Sequence, residues 1–341
     1  MKSLPVIIFF ILLAALSVLN EVAAQEEFPP YRVPVLIVKY FPLTQEKNRI
    51  DIQVTGDWGE PLEQTRNKAD DLTKKLISTL EQGSIYHGYK NSLARPSLKY
   101  VVVGNIEFLE PLPVFYTADN NIPMTDYNKI MERIGIRKWV LENGVKEVWI
   151  WAYHGGIVRI WESNMSGPYG DISNSDRNPN DLPVLNKTYT VYHYNYQRGL
   201  SEATEDHMHQ IEAVLRSIDS SIFWDKFVGG FSSNNSVARG EYRRRCGWSH
   251  YPPNGQRDYD WKNKDYVWTD IEDWRPDGGR EQRMNCERWG CDSLKWFIYW
   301  MQNIPGADNG IMYNNRKLNN WWVFIGDFDY ALEHKLGLIE N

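Results

Sequence analysis

Apolar and polar positions follow two alternating periods along the first two thirds of the chain. VPVLIVKYF, residues 33–41, is an unbroken β-branched apolar run, the composition of a strand buried on both faces of a parallel sheet. In the later segment ADDLTKKLISTLEQG, Ala69, Leu72, Leu76 and Leu80 recur at helical spacing and Gly83 supplies a stop. The pairing then repeats. LKYVVVGNIEFL (98–109) predicts a second strand, and TDYNKIMERIGIRKWVLENG a second helix opened by Thr125 and closed by Gly144. KEVWIWAYH predicts a third strand; KTYTVYHYNYQ predicts a fourth, which leads into a helix from about Ser201 to Ile218. Strands separated by helices imply right-handed crossovers, so the expected fold is α/β, a three-layer domain whose largely parallel sheet carries helices on both faces.

From residue 232 to residue 292 the periodicity gives way to turns and aromatics, as in CGWSHYPPNGQRDYDWKNKDYVWTDIEDWRPDGG. This predicts a long aromatic-rich loop excursion near the C-terminus, held by a disulfide. DSLKWFIYWMQ and NNWWVFIGDFDYALEHKLG then close the fold.

At the other end, Lys2, an apolar run from Leu4 to Leu19 and small residues before Gln25 make the three-part pattern of a cleavable secretory signal. That run is shorter than the roughly 20 residues needed to span a bilayer. Residues 1–24 are therefore expected to be a signal peptide and residues 25–341 a single secreted, extracellular α/β domain. The net charge of -6 is mixed along the chain, which argues against a nucleic-acid partner and against a polybasic membrane patch.

Cys246, Cys286 and Cys291 suit an oxidising compartment and imply one disulfide with one cysteine left over, without fixing the pairing. Asn164, Asn186 and Asn234 begin glycosylation sequons, which would make the chain a glycoprotein in a eukaryote.

The candidate chemistry lies at the expected carboxyl ends of the strands, where ligands bind in open α/β sheets. His154 ends the third strand and precedes Gly155 and Gly156; Glu162 follows Trp161; Arg198 ends the fourth strand. On the helix after it, taken at 100° per residue, Leu200, Thr204, His207, Ile211, Val214, Leu215 and Ile218 share one face. Glu202, Glu205, His209, Glu212 and Arg216 share the other, which reads as a solvated, ion-pairing face. His209 and Glu212 have the spacing of two ligands on one helical face and resemble the HxxE element of zinc carboxypeptidases. The likeness is confined to those two residues, and that family's third ligand lies downstream of the element, whereas His154 lies upstream. His207 points toward the sheet and His154, and two histidines with one carboxylate are the minimum set for a catalytic zinc.

One function class is thus a secreted hydrolase, metal-assisted, acting on an extracellular peptide or glycan. His154 and His207 would bind zinc, Glu162 would act as general base and Arg198 would stabilise negative charge. Acidic and amide oxygens in GDISNSD (170–176) and DYDWKNKDY (258–266) are candidates for calcium, although Lys262 and the lack of a turn glycine exclude an EF-hand. The absence of GxSxG, Walker and GxGxxG patterns removes support for serine-hydrolase and nucleotide chemistry. The other class is a non-catalytic extracellular glycan-binding or matrix protein. It would use loop tryptophans, Trp161, Trp248, Trp261, Trp268 and Trp274, from a chain with 15 Trp and 20 Tyr.

Overall fold

The computed structural model describes residues 29–116, 122–154, 157–174, 181–229 and 245–341. The signal-like segment, the two glycines after His154, the sequon at Asn234 and the start of the excursion lie outside these.

The apolar run becomes strand β1 (Tyr31–Tyr40), buried from Val33 onward. With β2 (Leu98–Phe108), β3 (Glu147–Ala152), β4 (Ser163–Ser166) and β5 (Tyr189–Asn195) it builds a five-stranded sheet in the order β2-β1-β3-β5-β4. The pairs β1–β2, β1–β3 and β3–β5 are parallel, as continuous apolar strands joined by helices should be. The edge strand β4 is antiparallel to β5 and was not foreseen. Its sequence, SNMS, has neither apolar alternation nor β-branched residues, yet every residue is buried. Asn164, the first sequon, is consequently sealed within the sheet, whereas Asn186 is exposed.

Helix α1 (Leu62–Gly83) runs beyond its predicted start and buries Ala69, Leu72, Leu76 and Leu80, the positions the spacing picked out. The second expected helix is two. Gly135, in the left-handed region at φ 66°, breaks it into α2 (Tyr127–Ile134) and α3 (Ile136–Leu141). The cap is Asp126, whose side chain accepts from the Lys129 N–H, rather than Thr125. Helix α4 (Leu200–Ile218) follows β5, and α5 (Ser293–Met301) follows the excursion.

Side-chain alternation on the sheet sorts the histidines. Trp149 stands opposite Tyr192 and Trp151 opposite Tyr194 in the β3–β5 register, while Ile150 stands opposite His193. His207 of α4 lies against Trp149, Tyr192 and Tyr194, and so on one face; Tyr127 of α2 meets His193 on the other. Residues Tyr31–Asn341 form one compact unit. No helix among the described residues is long and apolar enough to cross a membrane.

Candidate metal centre

The middle of the α4 face that reads as solvated, from Glu205 to Glu212, is largely covered, while Arg216 stays exposed. The segment Cys246–His250 packs over it, and its path is fixed by indole N–H donors from later in the chain. Trp300 Nε1 donates to the Gly247 carbonyl at 2.9 Å; Trp261 and Trp296 both donate to the Ser249 carbonyl, at 2.8 and 3.0 Å. Backbone bonds from Cys246 to Phe227 and from Gly247 to Val228 fasten the other side. A buried indole must place its N–H on an acceptor. Here those obligatory bonds set the position of a loop, which gives the tryptophan-rich composition a structural use. The disulfide joins Cys286 to Cys291, leaving Cys246 free and buried, and Trp289 between them donates to the Trp261 carbonyl at 2.9 Å.

The consequence is a cluster of three side chains drawn from α4 and from a loop some forty residues later in the chain. Glu205 and His209 stand one helical turn apart on α4, and the loop delivers His250 between them. Glu205 Oε1 lies 2.7 Å from His250 Nε2 and 3.7 Å from His209 Nε2, and the two imidazole Nε2 atoms are 3.0 Å apart. Among the described residues this is the grouping of His, Cys, Asp and Glu with ligand atoms close enough for one metal ion. Tetrahedral zinc with bonds of roughly 2.0–2.1 Å separates neighbouring ligand atoms by roughly 3.3 Å, inside the range spanned by this triangle.

The outer contacts fit the same reading. His209 Nδ1 lies 3.2 Å from Glu212 Oε2, and His250 Nδ1 lies 2.9 Å from Asp258 Oδ1. A carboxylate on the second nitrogen turns the first toward a metal and raises its basicity. Glu212 is itself fixed by the Ser249 N–H, which donates to its other oxygen at 2.7 Å. The ligand side chains stay partly open to solvent, at 12% for His209, 17% for Glu205 and 20% for His250, leaving access for water or substrate.

Electrostatics bind the cluster together. Burial works against a charge on His209, but hydrogen bonds to Glu205 and Glu212, with the charges of Glu212 and Glu162, hold its imidazole protonated well above the ordinary range. Burial likewise works to raise Glu205, and bonds to His209 and His250 overcome it, keeping the carboxylate ionised. A metal ion would replace the His209 proton, so its binding would release protons. Glu202, one turn earlier on α4, is pushed up to about 7 by burial, against the pull of Arg198 and with the help of Glu205 and Glu162.

The expected site residues fall in two groups. Glu162 and Arg198 are close to this cluster: Glu162 acts on His209, Glu202 and the buried Asp206, and Arg198 Nε is 3.3 Å from Glu202. His154 and His207 are outside it. His154 Nδ1 bonds the Val158 carbonyl at 2.7 Å. His207 is 1% exposed, stacked on Tyr192, with Nε2 2.6 Å from the Tyr194 hydroxyl. Burial pulls its pKa down to about 3, so it is neutral.

Of the suggested calcium oxygens, Asp258 is engaged with His250, and Asp260 accepts from the Gln256 N–H and the Asn263 amide. The sequence signal for this cluster was the His209–Glu212 spacing, which marked His209 and its outer carboxylate. Its downstream partner, His250, sits in CGWSHYPPN with no periodicity to mark it. No family model, curated protein or solved structure matches the chain.

Proposed function

We propose that the protein is a metal-dependent hydrolase whose ion, zinc by the nature of its donors, is held by Glu205, His209 and His250. The observation that carries this reading is the pair of Nε2 atoms converging with Glu205 Oε1 while each opposite Nδ1 rests on a carboxylate. Two imidazoles and a carboxylate with access for a further ligand suit catalytic zinc, and a bound divalent ion supplies Lewis acidity and an acidified water. This assignment moves the ligands from the expected His154 and His207, whose ring nitrogens meet the Val158 carbonyl and the Tyr194 hydroxyl.

Glu162 keeps its expected role as general base. Its carboxylate accepts from the Asn174 amide at 2.6 Å on the exposed side and is near enough to His209 to act on its charge. It would take the proton of the attacking water and return it to the leaving group. Arg198, positioned by Glu202 at the start of α4, would stabilise negative charge developing on the substrate. The signal-like N-terminus and the disulfide support an extracellular setting, with Asn186 as an accessible sequon among the described residues and an extracellular peptide or glycan as substrate. The contacts of α2 with His193 and of α4 with Tyr194 support helices on both faces of the sheet.

Binding to glycans or matrix through loop tryptophans draws less support. Trp248 and Trp274 are buried and Trp161 and Trp261 half-buried, which leaves Trp268, 57% exposed, without a row of partners.

Elemental analysis of purified residues 25–341 beside His250→Ala and His154→Ala tests the assignment. About one zinc per chain, lost in His250→Ala and kept in His154→Ala, is expected. Loss of zinc in His154→Ala alone, or no transition metal in any of the three, would remove it.

A further inference from the structure

The charge around the cluster is lopsided. The bond from Ser163 Oγ to the Gln210 amide oxygen, 2.7 Å, pins the start of β4 against α4. Glu162, one residue earlier, is thereby brought toward the turns that carry Glu202 and Glu205. Glu212 and Asp258 occupy the far sides of the two histidines. Among the described residues, the double charge of an ion and the guanidinium of Arg198 face the carboxylates of Glu162, Glu205, Glu212 and Asp258, with Glu202, which titrates at about 7, adding part of a charge. A loaded centre is therefore surrounded by more negative than positive charge among these groups.

A second feature lies at the same opening. Tyr259 is 52% exposed, its ring centroid is 4.2 Å from that of His250, and its backbone adopts φ 61°, a left-handed conformation that costs an aromatic residue free energy. The strain presents an aromatic ring at the mouth of the site, where it can meet a cation.

Resting on the metal-hydrolase reading, we propose that the centre selects substrates that carry an ammonium group close to the bond that is cut. Glu162 and Glu202 attract that group and Tyr259 flanks it. Carboxylate- or phosphate-bearing substrates are repelled by the same charges. A peptide N-terminus and a side-chain or sugar amine share this chemistry.

The test uses the protein loaded with Co(II), whose visible spectrum reports ligands, titrated with four hydroxamates. Leucine hydroxamate carries an α-ammonium, 6-aminohexanoyl hydroxamate a distal one, N-acetyl-leucine hydroxamate none, and succinyl hydroxamate a carboxylate. The expected result is binding of at least one ammonium compound about tenfold tighter than the N-acetyl compound, with succinyl hydroxamate weakest. The preference should fall to roughly threefold or less in Glu162→Gln/Glu202→Gln, because removing the negative charge these two carboxyl groups carry at the rim reduces the attraction without changing shape. Which ammonium compound binds tighter assigns the source, an N-terminus or a distal amine. Equal affinities for ammonium and N-acetyl compounds, or a preference untouched by the double substitution, would overturn the proposal while leaving the metal site standing. Failure to take up one Co(II) per chain would remove the metal reading and this proposal with it.

Discussion

Replacing His207 with Gln should change how stability depends on acid. In the folded protein burial holds the His207 pKa at about 3, against about 6.5 in an unfolded chain. A base whose pKa is depressed by folding leaves stability untouched above about pH 6.5, where neither state is protonated. Below that pH the unfolded chain takes up a proton that the folded one refuses, and stability is lost progressively toward pH 3. At about pH 5 the loss from this single group is about 2 kcal/mol, from 1.36 kcal/mol for each pH unit below 6.5. Glutamine retains an acceptor for the Tyr194 hydroxyl and does not titrate. Urea unfolding of both proteins at about pH 7.5 and about pH 5 separates this linkage from any general cost of the substitution, which appears at both values. The variant should lose about 2 kcal/mol less than the wild type on going to the lower pH. An unchanged pH dependence would refute the burial argument and reopen a role for His207 as a ligand or as a charged group.

Three further outcomes follow from the geometry. Glu147, buried against Trp149, has its pKa raised to about 8, chiefly by burial, so the folded state keeps a proton that the unfolded one sheds above about pH 4.5. Stability is then lost as pH rises toward 8, and Glu147→Gln should flatten that fall when followed by urea unfolding at about pH 6 and about pH 8. Glu212→Gln should weaken zinc binding about 10–100-fold, measured by competition with a chelator, because His209 loses its outer carboxylate. Gly104→Ala should cost about 1–3 kcal/mol in chemical unfolding, since its new methyl would meet the Trp139 ring at 2.6 Å and Leu36 at 2.8 Å.

Local periodicity alone determined much of this molecule. A continuous apolar run specified β1 as a buried strand, strand-like composition marked β3 and β5, and helical spacing marked core-facing positions that are buried in α1 and, between the half-buried Leu200 and Ile218, in α4. Such patterns work because a strand or helix turns its side chains at a fixed angle, so the sequence itself records which face meets the core. Thr125 shows the limit at element ends: Asp126, one residue on, has the side chain that reaches the free N–H. The SNMS strand shows another, since its burial comes wholly from its neighbours.

The site was half legible for the same reason. Glu205, His209 and Glu212 could be placed on one face of α4 from spacing, but whether that face met water or protein depended on residues 246–250. Their course is decided by Trp261, Trp296 and Trp300, which donate from segments up to 53 residues away. No periodicity encodes such a contact, because an irregular loop has no face of its own and takes its path from whatever accepts or supplies its hydrogen bonds. Tertiary structure therefore chose His250 as the third member of the cluster, and gave His154 and His207 other partners, the Val158 carbonyl and the Tyr194 hydroxyl.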